Sequence, residues 1–188
     1  MCAIRSHSLH YELLRSYPSA EEDHKCYLWE AARATTAAPL YFEPVVFENS
    51  RAVFVDGALR INNPVRELVN EATKIWPGDP VCCLVSIGTG FESTSHLTGG
   101  LTSNLESLIR ISTDAQQEAE RFVRDTQGRS LMADKRYFRF NVEQGIQGVR
   151  LQDSSERDIE ILDSRTKAYL DRTSISMELK ECVKAMQG

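Results

Sequence analysis

The stretch Arg51-Ala52-Val53-Phe54-Val55-Asp56-Gly57-Ala58-Leu59-Arg60-Ile61-Asn62-Asn63-Pro64 decides how this chain is read. Ala52 to Val55 is a short apolar run, the pattern of a strand buried on both faces. It ends in Asp56 and Gly57. A carboxylate at the C-terminal end of a buried strand stands where open α/β sheets gather their reactive groups. Gly57 admits the tight turn that keeps the carboxylate at the strand end. Asn63 and Pro64 predict a helix start, with Asn63 as N-cap and Pro64 as the first helical residue. The same residues also fit a strand-to-helix turn with no chemistry.

Two further blocks flank this one. Upstream lies Leu28-Trp29-Glu30-Ala31-Ala32-Arg33-Ala34-Thr35-Thr36-Ala37-Ala38-Pro39-Leu40-Tyr41-Phe42, and downstream Cys83-Leu84-Val85-Ser86-Ile87-Gly88-Thr89-Gly90. The order W-E-A-A-R-A-T-x-A-A-P-x-Y-F, then V-D-G-A with N-N-P, then L-V-S-I-G-T-G resembles the patatin-like phospholipase family, and most of all its fungal members with the D-G-A form of the acid motif. The three blocks cover residues 25–90 closely, and the resemblance extends more loosely to about residue 145.

The resemblance implies a three-layer α/β/α domain with a mainly parallel central sheet. It implies carboxylic ester hydrolysis by a Ser–Asp dyad acting on lipid or phospholipid acyl esters, with no cofactor and no metal. Asp56 would be the general base, Gly57 and Ala58 the rest of the acid-motif turn, and Asn62 and Asn63 its support. In that chemistry the carboxylate takes the serine proton, the serine attacks the ester carbonyl, and backbone amides hold the oxyanion. The family pattern also calls for a serine in a G-x-S-x-G elbow and a glycine-rich oxyanion loop. The sequence contains neither, so the chain reads as the C-terminal portion of such a domain, without its nucleophile and inactive alone. The other reading is a non-catalytic remnant that binds lipid or another protein.

Two serines approach the elbow pattern. Leu84-Val85-Ser86-Ile87-Gly88 has the second glycine but not the first, and Gly128-Arg129-Ser130-Leu131-Met132 the first but not the second. An elbow needs small residues on both sides of a strained strand-to-helix turn, so Ser86 is expected near a strand end with its hydroxyl bonded locally. Gly88-Thr89-Gly90 lacks the third glycine and the helix that a dinucleotide-binding turn requires. His7, His10, His24 and Cys26 show no second matching pair of metal ligands.

Composition sets outer bounds. A chain of 188 residues can bury a real core. No apolar run approaches membrane-spanning length. The 22 basic against 27 acidic residues argue against nucleic acid and against a strongly electrostatic membrane dock, though not against peripheral membrane contact. The five cysteines are odd in number and lack C-x-x-C spacing, which suits small buried hydrophobes in a reducing cytoplasm.

Periodicity predicts a strand stub at 1–4 and an irregular connection over 5–24. A helix follows at 25–34 with Leu28, Ala31 and Ala32 inward, then a hairpin-like pair at 45–47 and 52–55. Residues 64–76 form an amphipathic helix with Val65, Leu68, Val69, Ala72, Ile75 and Trp76 on one face. A strand is expected at 81–87, and a helix over 102–125, broken near Thr113-Asp114 and opened by a Ser103/Glu106 capping box. Residues 136–142 alternate as a strand with Phe138, Phe140 and Val142 inward, and two helices are expected near 156–170 and 174–186. Residues 1–148 are assigned to the patatin-like portion and 149–188 to a helical C-terminal extension. A domain divided within its sheet is also expected to expose apolar area, at 1–4 or beneath helix 64–76.

Overall fold

The computed structural model describes residues 1–8, 10–19, 25–39, 41–90, 115–146, 149 and 153–187. It is a mixed α/β structure. The described residues fall into two compact units, residues 1–64 and residues 65–90 with 115–187.

The first unit is built on a four-stranded sheet of β1 (Cys2–Arg5), β2 (Tyr11–Leu13), β3 (Val45–Val46) and β4 (Val53–Asp56), in the order β2-β1-β4-β3. Every pairing in it is antiparallel, with Ala3 opposite both Glu12 and Asp56. The strand that carries Asp56 is therefore antiparallel to both its neighbours, whereas the resemblance implied a mainly parallel sheet. The physical reason is the chain path. The segment after β1 returns at once as β2, and the β3–β4 hairpin expected from the sequence turns back through residues 48–50, so neighbours run in opposite directions.

The unit's core is Ala3, Leu14, Ala31, Ala34, Ala37, Val45, Phe47 and Phe54. Phe47 and Phe54 are fully buried, with ring centroids 4.3 Å apart. Helix α1 (Leu28–Ala34) buries Glu30, Ala31 and Ala34. Leu28 is 77% exposed and Ala32 is also exposed, contrary to the apolar face read from the sequence. Glu30 sets the helix rotation instead. Its two carboxyl oxygens accept hydrogen bonds from the backbone N–H of Tyr27 and of Glu48, both at 2.7 Å.

A short helix α2 (Ala58–Ile61) follows β4 directly. In the second unit α3 (Val65–Ile75) starts one residue after Pro64. Parallel register appears here, between β5 (Leu84–Ile87) and β6 (Tyr137–Phe140), with Ser86 opposite Arg139. Helix α3 packs on this pair, since Val65, Val69, Leu84, Phe122, Leu131 and Tyr137 form one cluster. Phe122 lies in α4 (Ala115–Arg124) and Leu131 in α5 (Thr126–Ala133), whose N-cap Asp125 accepts from Gly128 N–H at 2.8 Å. The residues expected to begin the long helix, with the Ser103/Glu106 capping box, lie outside the described residues.

Both faces of β6 are filled. Tyr137 is buried along with Phe138, because its ring meets Phe122 edge-on at 5.2 Å. The chain ends in α6 (Glu156–Leu170) and α7 (Thr173–Gln187), close to the predicted pair. The expected exposed apolar area is present along α3. Leu68 is 55% and Trp76 57% exposed, and both line a groove of about 570 Å³ with Ala72, Val81 and Leu84.

Candidate active site

Asp56 is the last residue of β4, half-buried, and the main chain holds it on both sides. One edge of β4 pairs with β1, opposite Ala3. On the other edge β3 has ended, and the Asp56 N–H donates to the Ala37 carbonyl at 3.0 Å. Ala37 belongs to the turn after α1, and it and Ala34 are almost fully buried. The small residues of the Trp29-to-Pro39 block thus let a turn approach the strand end closely enough to continue its hydrogen bonding.

The Cys2 carbonyl is the second anchor. Thr35 Oγ1 donates to it at 2.6 Å. A Cβ on Gly57 would stand 2.7 Å from the same oxygen. Gly57 has φ −64° and ψ −20°, a helical conformation open to any residue. The glycine is required by the approach of β1 and not, as the sequence suggested, by turn geometry. Thr35, Ala37 and Cys2 were not singled out as site residues. Their part rests on contacts across 33 and 19 positions of sequence, although the run of small residues was the visible trace.

The Asp56 carboxylate folds over the start of α2, and Oδ1 accepts from Ala58 N–H at 2.8 Å. Burial pushes its pKa above the ordinary carboxylate value, and the Ala58 hydrogen bond draws it part of the way back. A partly desolvated carboxylate held in this way is a stronger proton acceptor than a solvated one and still keeps a free lone-pair face. Gly57 accepts from the N–H groups of Arg60 and Ile61 at 3.0 and 2.8 Å, which closes the turn. Asn62 ends α2, and Asn63 beside it is buried. Asp56, Gly57, Ala58, Asn62 and Asn63 therefore lie along one strand–helix connection of the first unit.

The two elbow-like serines have other positions. Ser86 is buried within β5 and accepts from Arg139 Nη1 at 2.7 Å. This bond crosses to the neighbouring strand. Ser130 is exposed inside α5, with no strand leading to it. The Gly88-Thr89-Gly90 turn is filled by protein. Gly90 N–H donates to Asn141 Oδ1 at 2.6 Å, and a Cβ on Gly88 would stand 2.2 Å from that oxygen. Gly90 has φ +102°, which an L side chain rarely adopts. Buried Asn141 is a determinant that the sequence reading missed. His7 and His10 are exposed, and His24 lies outside the described residues.

A profile of the patatin-like phospholipases matches residues 7–69, which contain the Asp56 turn and the Thr35–Ala37 turn that supports it. Residues 7–69 belong to the patatin-like phospholipase family. Calcium-independent phospholipase A2-gamma of Rattus norvegicus is 34% identical over 155 residues, 80% of this chain and 19% of that protein. The Homo sapiens protein of the same name is 31% identical over the same shares. Phospholipase A I of Arabidopsis thaliana is 40% identical over 73 residues, 39% of this chain and 5% of that protein. The chain spans about a fifth of the length of the calcium-independent phospholipases it matches. No described helix of the chain is long and apolar enough to cross a membrane.

Proposed function

We propose that the chain is the acid-bearing portion of a lipid acyl hydrolase, with Asp56 the general base of a Ser–Asp dyad. Residues 1–148 would form this portion and 149–188 a helical extension. The observation that carries the reading is the seating of Asp56. It is a half-buried carboxylate at a strand end, raised in pKa, hydrogen-bonded to Ala58 N–H and fixed from both edges by the backbone. The matches to proteins named phospholipases support ester bonds of phospholipids as the substrate class.

In the proposed reaction a serine hydroxyl faces the unbonded side of the Asp56 carboxylate and transfers its proton there as its oxygen attacks the acyl carbonyl. Gly57 and Ala58 hold the carboxylate against rotation, and Asn62 and Asn63 shape the end of the turn. The serine comes from polypeptide other than these 188 residues, which contain no G-x-S-x-G.

The test compares this chain with a longer product that carries an in-frame G-x-S-x-G. The chain alone should neither hydrolyse nitrophenyl esters or phospholipid nor be labelled by a fluorophosphonate. The longer product should do both, and Asp56→Asn should lower its turnover on the order of 10³-fold or more while leaving the fold intact. Labelling of the 188-residue chain, or full turnover in the Asp56→Asn product, would overturn the assignment.

A further inference from the structure

Two thiols separated by 99 positions face each other within the second unit. Cys83 leads into β5 and Cys182 lies in α7. Their Sγ atoms stand 4.0 Å apart, and Cys83 Sγ is 3.9 Å from the Cys182 carbonyl oxygen. Cys182 is 3% exposed and Cys83 half-buried, and all five cysteines are unbridged. A disulfide holds its sulfurs near 2.05 Å, so closure asks for about 2 Å of movement, within reach of side-chain rotation and a small shift of the last helix.

We propose that Cys83 and Cys182 are a reversible redox pair whose disulfide ties the C-terminal helix to the strand leading into the Gly88–Gly90 turn. Neither thiol takes part in the acyl-transfer reading. The oxidant is a small disulfide such as oxidised glutathione. The more accessible Cys83 attacks it as thiolate, forming a mixed disulfide and releasing one glutathione thiolate. Cys182, as thiolate, then attacks the Cys83 sulfur, closes the protein disulfide and releases the second. Two protein thiols are oxidised, one glutathione disulfide is reduced, and the two cysteine protons pass through solvent to the glutathione thiolates.

Burial, and then the hydrogen bond to Cys182, push the Cys83 thiol up to about 11. Only a small fraction is thiolate at neutral pH, so the first attack is slow there. Below that value the attack should quicken by roughly tenfold for each unit that the pH rises. Exposed Cys82 provides an internal control, since its Sγ lies 3.6 Å from the Pro80 carbonyl oxygen.

The experiment incubates the 188-residue chain with oxidised glutathione, blocks free thiols, and maps peptides without reduction. The expected product is one Cys83–Cys182 cross-link with three alkylated cysteines. It should form in Cys82→Ser as readily as in the natural chain. The melting temperature should rise by about 10 °C, as for closure of a loop near 100 residues, and fall back on reduction. Amide exchange in 176–187 should slow with it. Dominant cross-links to Cys82, Cys2 or Cys26, or a product that stops at the mixed disulfide, would overturn the proposal. The cross-link map uses the natural chain, so it decides even if Cys82→Ser does not fold.

Discussion

The Cys2 carbonyl oxygen lies 2.7 Å from the position a Cβ on Gly57 would occupy. Because that oxygen belongs to the backbone of β1 and also accepts from Thr35 Oγ1, it cannot swing aside. Gly57→Ala should therefore push β1 away from the Asp56 turn and destabilise the chain by about 1–3 kcal/mol. Gly78→Ala is the contrast. Its φ is +92°, but no atom lies within 4 Å of the added Cβ, so it should carry only backbone strain of about 1–2 kcal/mol. Denaturant titration of the two variants measures the costs. Infrared spectra should show loss of strand signal for Gly57→Ala alone.

Glu30 is a second buried determinant. It is fully buried, and its two oxygens serve Tyr27 N–H and Glu48 N–H. Glu30→Ala leaves both donors without their acceptor. A loss of about 2–4 kcal/mol is expected, with a fall of roughly 5–15 °C in melting temperature. Glu30→Gln keeps one acceptor and should fall between the two. Calorimetry on the three proteins gives the order.

These two residues show what the sequence made legible and what it did not. The elements were readable wherever period and boundary agreed. The strand before Asp56, helix α3, the strands at 84–87 and 137–140 and the last two helices were all visible. Beyond the β3–β4 hairpin, pairing was not readable, since the other partner of β4 is the distant β1, and the three residues Tyr11–Leu13 on the far side of β1 are too few to show alternation. Nor was the rotation of α1. An apolar Leu28 is exposed because buried Glu30 binds two backbone donors, a tertiary gain that local hydropathy does not record. Asp56 could be placed at a strand end from sequence, whereas Ala37 and Cys2, which fix it there, become visible only once the chain is folded.

Ser86 should behave as a structural residue. Its hydroxyl accepts from Arg139, which also donates to Gln116 Oε1 at 3.3 Å. Ser86→Ala removes one acceptor from a guanidinium that keeps Gln116 Oε1 and the Ala115 carbonyl. The expected loss is about 1–2 kcal/mol in denaturant titration. In the longer, active product, turnover should stay within about twofold of the parent once both are folded. A collapse of turnover with unchanged stability would return Ser86 to the list of nucleophiles.

Asp56 itself carries a prediction with a definite sign. Burial raises its folded pKa above the unfolded value of about 3.9. The folded chain therefore holds the proton more tightly than the unfolded chain. This contribution to stability is fully present below about pH 4 and is lost as pH rises through the folded pKa. At neutral pH the ionised carboxylate is thus a burden on the fold, kept small by its half-exposure. Asp56→Asn removes the charge, while its amide oxygen can still accept from Ala58 N–H. The variant should melt higher than the natural chain at pH 7, by at most about 2 °C. The gap should close as both are acidified below pH 4. Melting curves from pH 3 to 8 test this. A variant that is less stable at pH 7, with a deficit that grows with pH, would mean that the ionised group is held by partners stronger than its burial. A group retained for proton transfer at some expense of stability should show the predicted pattern.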